Sequence, residues 1–179
     1  MNGTECSSLL LRIRNRHILI ESKLQQIGNR VSQTACASCV KICCREEICK
    51  ESIESDYLRY ILGAKAKEYD NEMGWYKNGQ GCSLAYGRPM VCYEYFCSGI
   101  GNMHGISNLQ NLASLFRKCY SKALGNRHIL VLNDIQRISV DKLAKILCNL
   151  DRLHVLIEES IKRQGQLRNI FSIKLDDAS

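Results

Sequence analysis

The sequence predicts a mainly α-helical chain whose helices flank an irregular, cysteine-rich core. Three observations predict it. Two long stretches repeat apolar residues at alternating three- and four-residue steps, the seam of a packed helix. Eight of the eleven cysteines crowd into two segments between those stretches, CASCVKICCREEIC (36–49) and CSLAYGRPMVCYEYFC (82–97). The only proline, Pro89, lies inside the second segment, and glycines flank it.

In chain order, residues 8–33 read as the first helix, with Leu10, Ile13, His17, Ile20, Leu24, Ile27 and Val31 along its seam and Ser7 or Ser8 as a cap. His17 occupies a seam slot far from any clustered cysteine. It reads as a packed core histidine rather than a metal ligand. After the first cysteine segment, 55–68 reads as a short helix with the stripe Tyr57, Leu58, Ile61 and Leu62. YDNEMGWYKNGQG (69–81) is polar and glycine-rich, hence a turn or loop. Trp75 and Tyr76 interrupt that polarity and are suited to cover the cysteine core.

The second cysteine segment exits through the loop Gly99, Gly101 and Gly105. A helix over 107–124 then carries Leu109, Leu112, Leu115, Phe116 and Cys119, with Gly125 as its stop and Lys122 in its last turn. Cys119 sits on the apolar side as a small hydrophobe. The run His128–Leu132 is β-like in composition but has no partner strand in the sequence. From Ser139, a capping residue, the seam Leu143, Ile146, Leu150, Leu153 and Ile157 predicts a helix over 139–163 that stops near Gly165. The first and last seams match, which suits an antiparallel pair across the cysteine core or, equally, a homodimer. Cys6, Cys148 and His154 lie outside the clusters and read as structural or incidental. No internal repeat or low-complexity segment is present.

Length bounds the rest. A chain of 179 residues reads as a single domain, 1–179, with 36–100 as its cysteine-rich centre. Hydrophobic content of 45% and charged content of 24% are those of an ordinary globular protein. The net charge of +7 is spread from Arg12 to Lys174, not gathered on one face with stacking aromatics. That pattern argues against nucleic acid as a partner. The N-terminal apolar run Leu9–Leu11 is cut by Arg12, Arg14 and Arg16, too short for a signal peptide. No stretch reaches the roughly 18–20 apolar residues of a membrane span. A cytoplasmic protein is expected, with no membrane contact.

In a reducing compartment, clustered cysteines are metal ligands more often than disulfides, and an odd total fits complete pairing poorly. Cys36-x2-Cys39 can turn both sulfurs toward one ion, as in zinc ribbons and iron–sulfur loops. Thiolates are soft, selecting zinc, iron–sulfur or cuprous copper over magnesium or calcium. Cys43 and Cys44 are adjacent and point apart unless the backbone is irregular. Cys49, Cys82, Cys92 and Cys97 bring the thiols to eight, enough for two four-sulfur sites or for one with thiols to spare. Lys41, Arg45, Lys50 and Arg88 lie near enough in sequence to offset thiolate charge. A thioredoxin-like role for Cys36-x2-Cys39 lacks the βαβ setting that such chemistry uses.

The pattern Cys36-x2-Cys39-x3-Cys43-Cys44, then Gly81-Cys82 and Arg88-Pro89-x2-Cys92-x4-Cys97, resembles the YkgJ-type cysteine cluster proteins, the CxxCxxCC zinc- or iron-chelating family. Flagellin lysine N-methylases share that cysteine pattern. The resemblance covers about 36–100, a little over a third of the chain. It implies a metal site built from Cys36, Cys39, Cys43, Cys44, Cys82, Cys92 and Cys97, to which Cys49 is added by proximity. One departure is clear: three residues, Val40-Lys41-Ile42, precede the double cysteine where the family has two.

Pro89 fixes its own φ and favours an extended predecessor, preorganising the approach to Cys92. Arg88 offers several donors to carbonyls or thiolates, a structural role. The leading expectation is therefore a cysteine-cluster protein chelating zinc or iron, with a [4Fe–4S] cluster among its forms. The alternatives are a metal-cluster-dependent protein-modifying enzyme of flagellin methylase type, and a redox or metal sensor whose heptad helices meet a protein partner. Against an enzyme, Gly99-Ile100-Gly101 is a weak cofactor fingerprint, and His104, Tyr93, Glu94 and Tyr95 border the cluster with no partner identifiable from sequence.

Overall fold

The computed structural model describes residues 3–37, 46–77, 81–94, 106–124 and 138–176, with side chains for 4–28, 48–77, 81–94, 106–123 and 138–163. The protein is mainly α-helical. Helix α1 (Gly3–Ala37), α5 (Ile106–Leu124) and α6 (Val140–Asp176) form a three-helix bundle. Between α1 and α5 come α2 (Glu46–Glu54), α3 (Asp56–Leu62), a 3-10 segment (Gly63–Glu68), a hairpin of β1 (Tyr76–Lys77) and β2 (Gly81–Cys82), and the single turn α4 (Val91–Glu94).

The apolar seams dictate the bundle. Ile13, Ile20, Leu24 and Ile27 of α1 are buried against Leu109, Leu112 and Phe116 of α5 and against Leu143, Ile146, Leu150, Leu153 and Ile157 of α6. Each buried leucine, isoleucine or phenylalanine contributes about 1.5–3 kcal/mol, so the seams together outweigh any surface contribution. Leu115, one step off the α5 stripe, is 40% exposed.

Cross-helix contacts fix the directions. Arg16 pairs with Asp151 at 2.7 Å and Lys23 with Glu158 at 3.1 Å, so α1 and α6 run parallel. Tyr120 meets His17 while Leu109 meets Gly28, so α5 runs against α1. The bundle is up–down–up, and the expected antiparallel pairing of first and last helices is corrected to a parallel one. The reason is topological: α5 already reverses the chain between them. Both seams face inward within one chain.

Other bounds differ from the sequence reading for local reasons. Helix α1 starts at Gly3, so Ser7 and Ser8 lie inside it. Residues 55–68 are not one helix. Ser55 caps α3 by accepting the Leu58 N–H at 3.2 Å, and Gly63, at φ 58°, ends it before the 3-10 turns begin. Helix α2 is an element the cysteine-rich reading did not anticipate. The 69–81 loop closes as a hairpin, with Tyr76 opposite Cys82 and Lys77 opposite Gly81. Asp70 starts it by accepting the Glu72 and Met73 N–H groups at 2.7 and 2.8 Å, an Asx turn that also lowers the Asp70 pKa. Helix α6 continues past Gly165, because the residues around that glycine are good helix formers and one glycine costs only about 1 kcal/mol. The β-like run at 128–132 lies outside the described residues. Among the described residues, no helix is long and apolar enough to cross a membrane.

Two substitutions on α6 separate seam from surface. Leu150→Ala, at a fully buried site, should cost about 2–5 kcal/mol in urea unfolding. Leu156→Ala, at a half-exposed site, should stay within about 0.5 kcal/mol of wild type.

Candidate metal centre

Cys49, Cys82 and Cys92 are the candidate ligands whose side chains are described. Cys36 sits in the last turn of α1, without a described side chain, and Cys39, Cys43, Cys44 and Cys97 lie outside the described residues. Three elements deliver the described thiols. Cys49 is buried on α2, Cys82 ends β2, and Cys92 is in α4, the latter two partly buried.

Cys49 is packed in a small apolar cluster with Leu62, Trp75 and Leu84, and Cys82 packs against that cluster. Trp75 covers this corner as its sequence context implied. Its Nε1–H donates to Ser52 Oγ at 2.6 Å, and Ser52 Oγ donates to the Cys49 carbonyl at 2.6 Å. Gly74 has φ 59°, and a Cβ there would stand 3.0 Å from the Cys49 Cβ. The hairpin therefore lies directly on the α2 cysteine.

The thiols sense one another. The Cys92 thiol is pushed up to about 12, by burial first and then by neighbouring Cys82 and Cys49, while Arg88 opposes them. Cys82 is raised by burial, lowered by Arg88, and raised again by Cys49. Among the described residues, no group of three or more His, Cys, Asp or Glu side chains stands close enough to hold a metal ion.

The Arg88–Pro89 turn aims α4. Arg88 donates from Nε and Nη2 to the Leu84 carbonyl at 3.1 and 2.8 Å, and from Nη2 to the Cys82 carbonyl at 3.4 Å. The Pro89 carbonyl accepts the Cys92 N–H at 3.0 Å, which starts the α4 turn. Burial disfavours the Arg88 cation, but Tyr93, Cys82, Cys92 and Glu21 around it leave its pKa raised overall. The structural role read for Arg88 holds.

The sequence reading missed what holds this turn. Glu21 of α1 is 0% exposed, and its carboxylate accepts the Gly87 N–H at 2.6 Å, the Arg88 N–H at 2.7 Å and the Tyr93 hydroxyl at 2.7 Å. Gln25, one turn on, donates to the Leu84 carbonyl at 2.9 Å and to Tyr93 Oη at 3.2 Å. His17, one turn back and also 0% exposed, places Nε2 3.2 Å from Glu21 Oε2. A proton on Nε2 avoids two lone pairs meeting at that distance. In the neutral ring Nδ1 then accepts from Tyr120 Oη at 2.6 Å, and Tyr57 Oη lies 2.7 Å from Tyr120 Oη. Burial raises all three tyrosines, Tyr57, Tyr93 and Tyr120, so each keeps the proton it donates. His17 is the core histidine that its seam position implied.

Of the residues bordering the cluster, Tyr93 thus has Glu21 as its partner, and Glu94 pairs with Arg117 at 2.9 Å. His104 and Tyr95 lie outside the described residues. Cys119 is buried in the bundle and Cys148 is exposed on α6. Comparison with protein-family models, with curated proteins and with solved structures finds no match to this chain.

Two outcomes follow from this geometry. A thiol with pKa about 12 is only about one part in ten thousand thiolate at pH 8. In metal-free protein at that pH, iodoacetamide should therefore modify exposed Cys148 well before Cys92, as mapped by peptide mass spectrometry. At Gly87, φ is 80° and a Cβ would lie 2.6 Å from Leu62 Cδ2, so Gly87→Ala should destabilise by at least about 1–3 kcal/mol in thermal unfolding.

Proposed function

We propose that this chain is a cysteine-cluster metal protein that chelates zinc or iron, the iron as an ion or an iron–sulfur cluster. On this reading it is related to the YkgJ-type family and works in a reducing, cytoplasmic setting. One observation carries the reading. Cys49 and Cys82 pack at one apolar corner, and Cys92, 43 positions after Cys49 in the chain, lies near enough to both and to Arg88 for all three to shift its thiol.

Chemistry favours a metal there. Burying thiols together raises their pKa values, because ionising one is opposed by low polarity and by its neighbours. A soft divalent cation reverses both effects and is the usual resident of such a site. Arg88 supplies one positive charge within the same turn, matching the need of a site whose thiolates outnumber the metal's charge. The donor set proposed is Cys36, Cys39, Cys43, Cys44, Cys49, Cys82, Cys92 and Cys97, divided between one or two sites. The bound metal would supply thiolate crosslinking between the two cysteine segments; the chain's own contribution is to hold Cys82 and Cys92 on the Arg88 turn. Holding a metal, for structure or for delivery, is the role supported.

Anaerobic purification with metal analysis tests this. Zinc or iron should co-purify, with a broad thiolate–iron charge-transfer absorbance if iron is held. A Cys49→Ser, Cys92→Ser double variant should lose bound metal, whereas Cys148→Ser should retain it. Wild-type protein that stays metal-free when offered either metal, with the double variant equally stable, overturns the reading.

A further inference from the structure

Among the described residues, Glu21 and His17 are fully buried polar side chains that belong to no cysteine segment. Glu21 and His17 lie on α1 at adjacent turns, both fully enclosed, in a chain of polar contacts that runs from the bundle interior to the cysteine corner. A carboxylate buried this way is costly unless its partners satisfy it. Here two successive backbone N–H groups, Gly87 and Arg88, and the Tyr93 hydroxyl do so. Gly87 makes this possible: its positive φ of 80° turns consecutive N–H groups to one side, forming a concavity that receives an anion. The anion is a side chain of the bundle.

We propose that Glu21 is the positioning residue of the cysteine site. Its carboxylate pins the Gly87–Arg88 backbone, and that sets where the Arg88 guanidinium and the α4 thiol stand. His17 backs Glu21, with Nε2 3.2 Å from Oε2, and Tyr120 in turn fixes the His17 ring. Breaking the carboxylate contacts would free the turn on which Cys92 is carried and move Arg88 away from Cys82, while leaving the apolar seams of the bundle in place. For metal affinity the inference rests on the reading given under Proposed function. For thiol accessibility it stands on geometry alone.

The experiment compares wild type with Glu21→Gln, which keeps the shape but turns an acceptor into a donor facing N–H groups. Iodoacetamide modification is followed residue by residue in chelator-treated, full-length protein. Cys82 and Cys92 report the turn, and Cys119, buried within the bundle, reports general opening. Modification of Cys82 and Cys92 should accelerate at least about tenfold while Cys119 keeps its wild-type rate. Zinc affinity, measured by competition with a chromophoric chelator, should fall about 10–100-fold, the usual effect of losing a residue that orients a ligand. Equal acceleration at all three cysteines, or none at any, overturns the proposal. Should Glu21→Gln not fold, Tyr93→Phe, which removes one of the three contacts, decides it by the same ratio in smaller measure. If wild type binds no zinc or iron, the metal reading fails, and the modification ratio still decides the role of Glu21.

Discussion

One carboxylate joins the two halves of this structure. Glu21 comes from the long first helix, and the N–H groups it satisfies come from a turn 66 residues later. Without that contact the helix would bury an unpaired charge, and the turn would leave two backbone donors unmet. Each side makes the other tolerable, which is why the contact is specific rather than merely favourable. The bundle supplies rigidity, the turn supplies cysteines, and Glu21 is where rigidity is handed across. His17 and the tyrosines behind it extend the same logic inward. Polar groups in an apolar core each need a complementary neighbour, and Tyr57, Tyr120 and His17 meet that need mutually.

One segment serves both the cysteine corner and this polar chain. Residues 82–94 present Cys82 and Cys92 toward the α2 corner, and present the Gly87 and Arg88 amides with Tyr93 toward α1. Arg88 serves both: its backbone answers Glu21, and its guanidinium spans the Leu84 and Cys82 carbonyls. A lysine could not do the same, because one ammonium lacks the planar fork that reaches two carbonyls from a fixed stem.

The parts legible in sequence were those governed by local period. Leu143, Ile146, Leu150, Leu153 and Ile157 are all buried because helical spacing alone puts them on one face. His17 followed from its seam slot, and Trp75 from being an aromatic in a polar run. Glu21 could not be read the same way. A glutamate beside a seam isoleucine looks like ordinary solvated surface, and its burial depends on a turn distant in the chain. Tyr57 looked like an apolar stripe residue and Tyr120 drew no reading, because their hydroxyl partners lie on other helices. The direction of α1 relative to α6 was illegible for a related reason: a seam states which residues are buried, not which way the neighbour runs. Arg16–Asp151 and Lys23–Glu158 decide it. Helix α2 was hidden by its cysteine, which drew attention to ligand spacing instead of to the helix formers Glu46–Glu54.

The up–down–up order also sets a schedule for assembly. The ion pairs between α1 and α6 join residues 135 positions apart, while α5 packs on both. Contacts that distant form late, after the costs of closing long loops have been met. During synthesis both cysteine segments leave the ribosome before α6 exists, so α1 lacks one wall of its groove while the thiols are already present. The nascent chain thus passes through a stage in which its thiols are open to solvent and to oxidants. The cellular environment at that moment, rather than the finished fold, governs what those cysteines first meet.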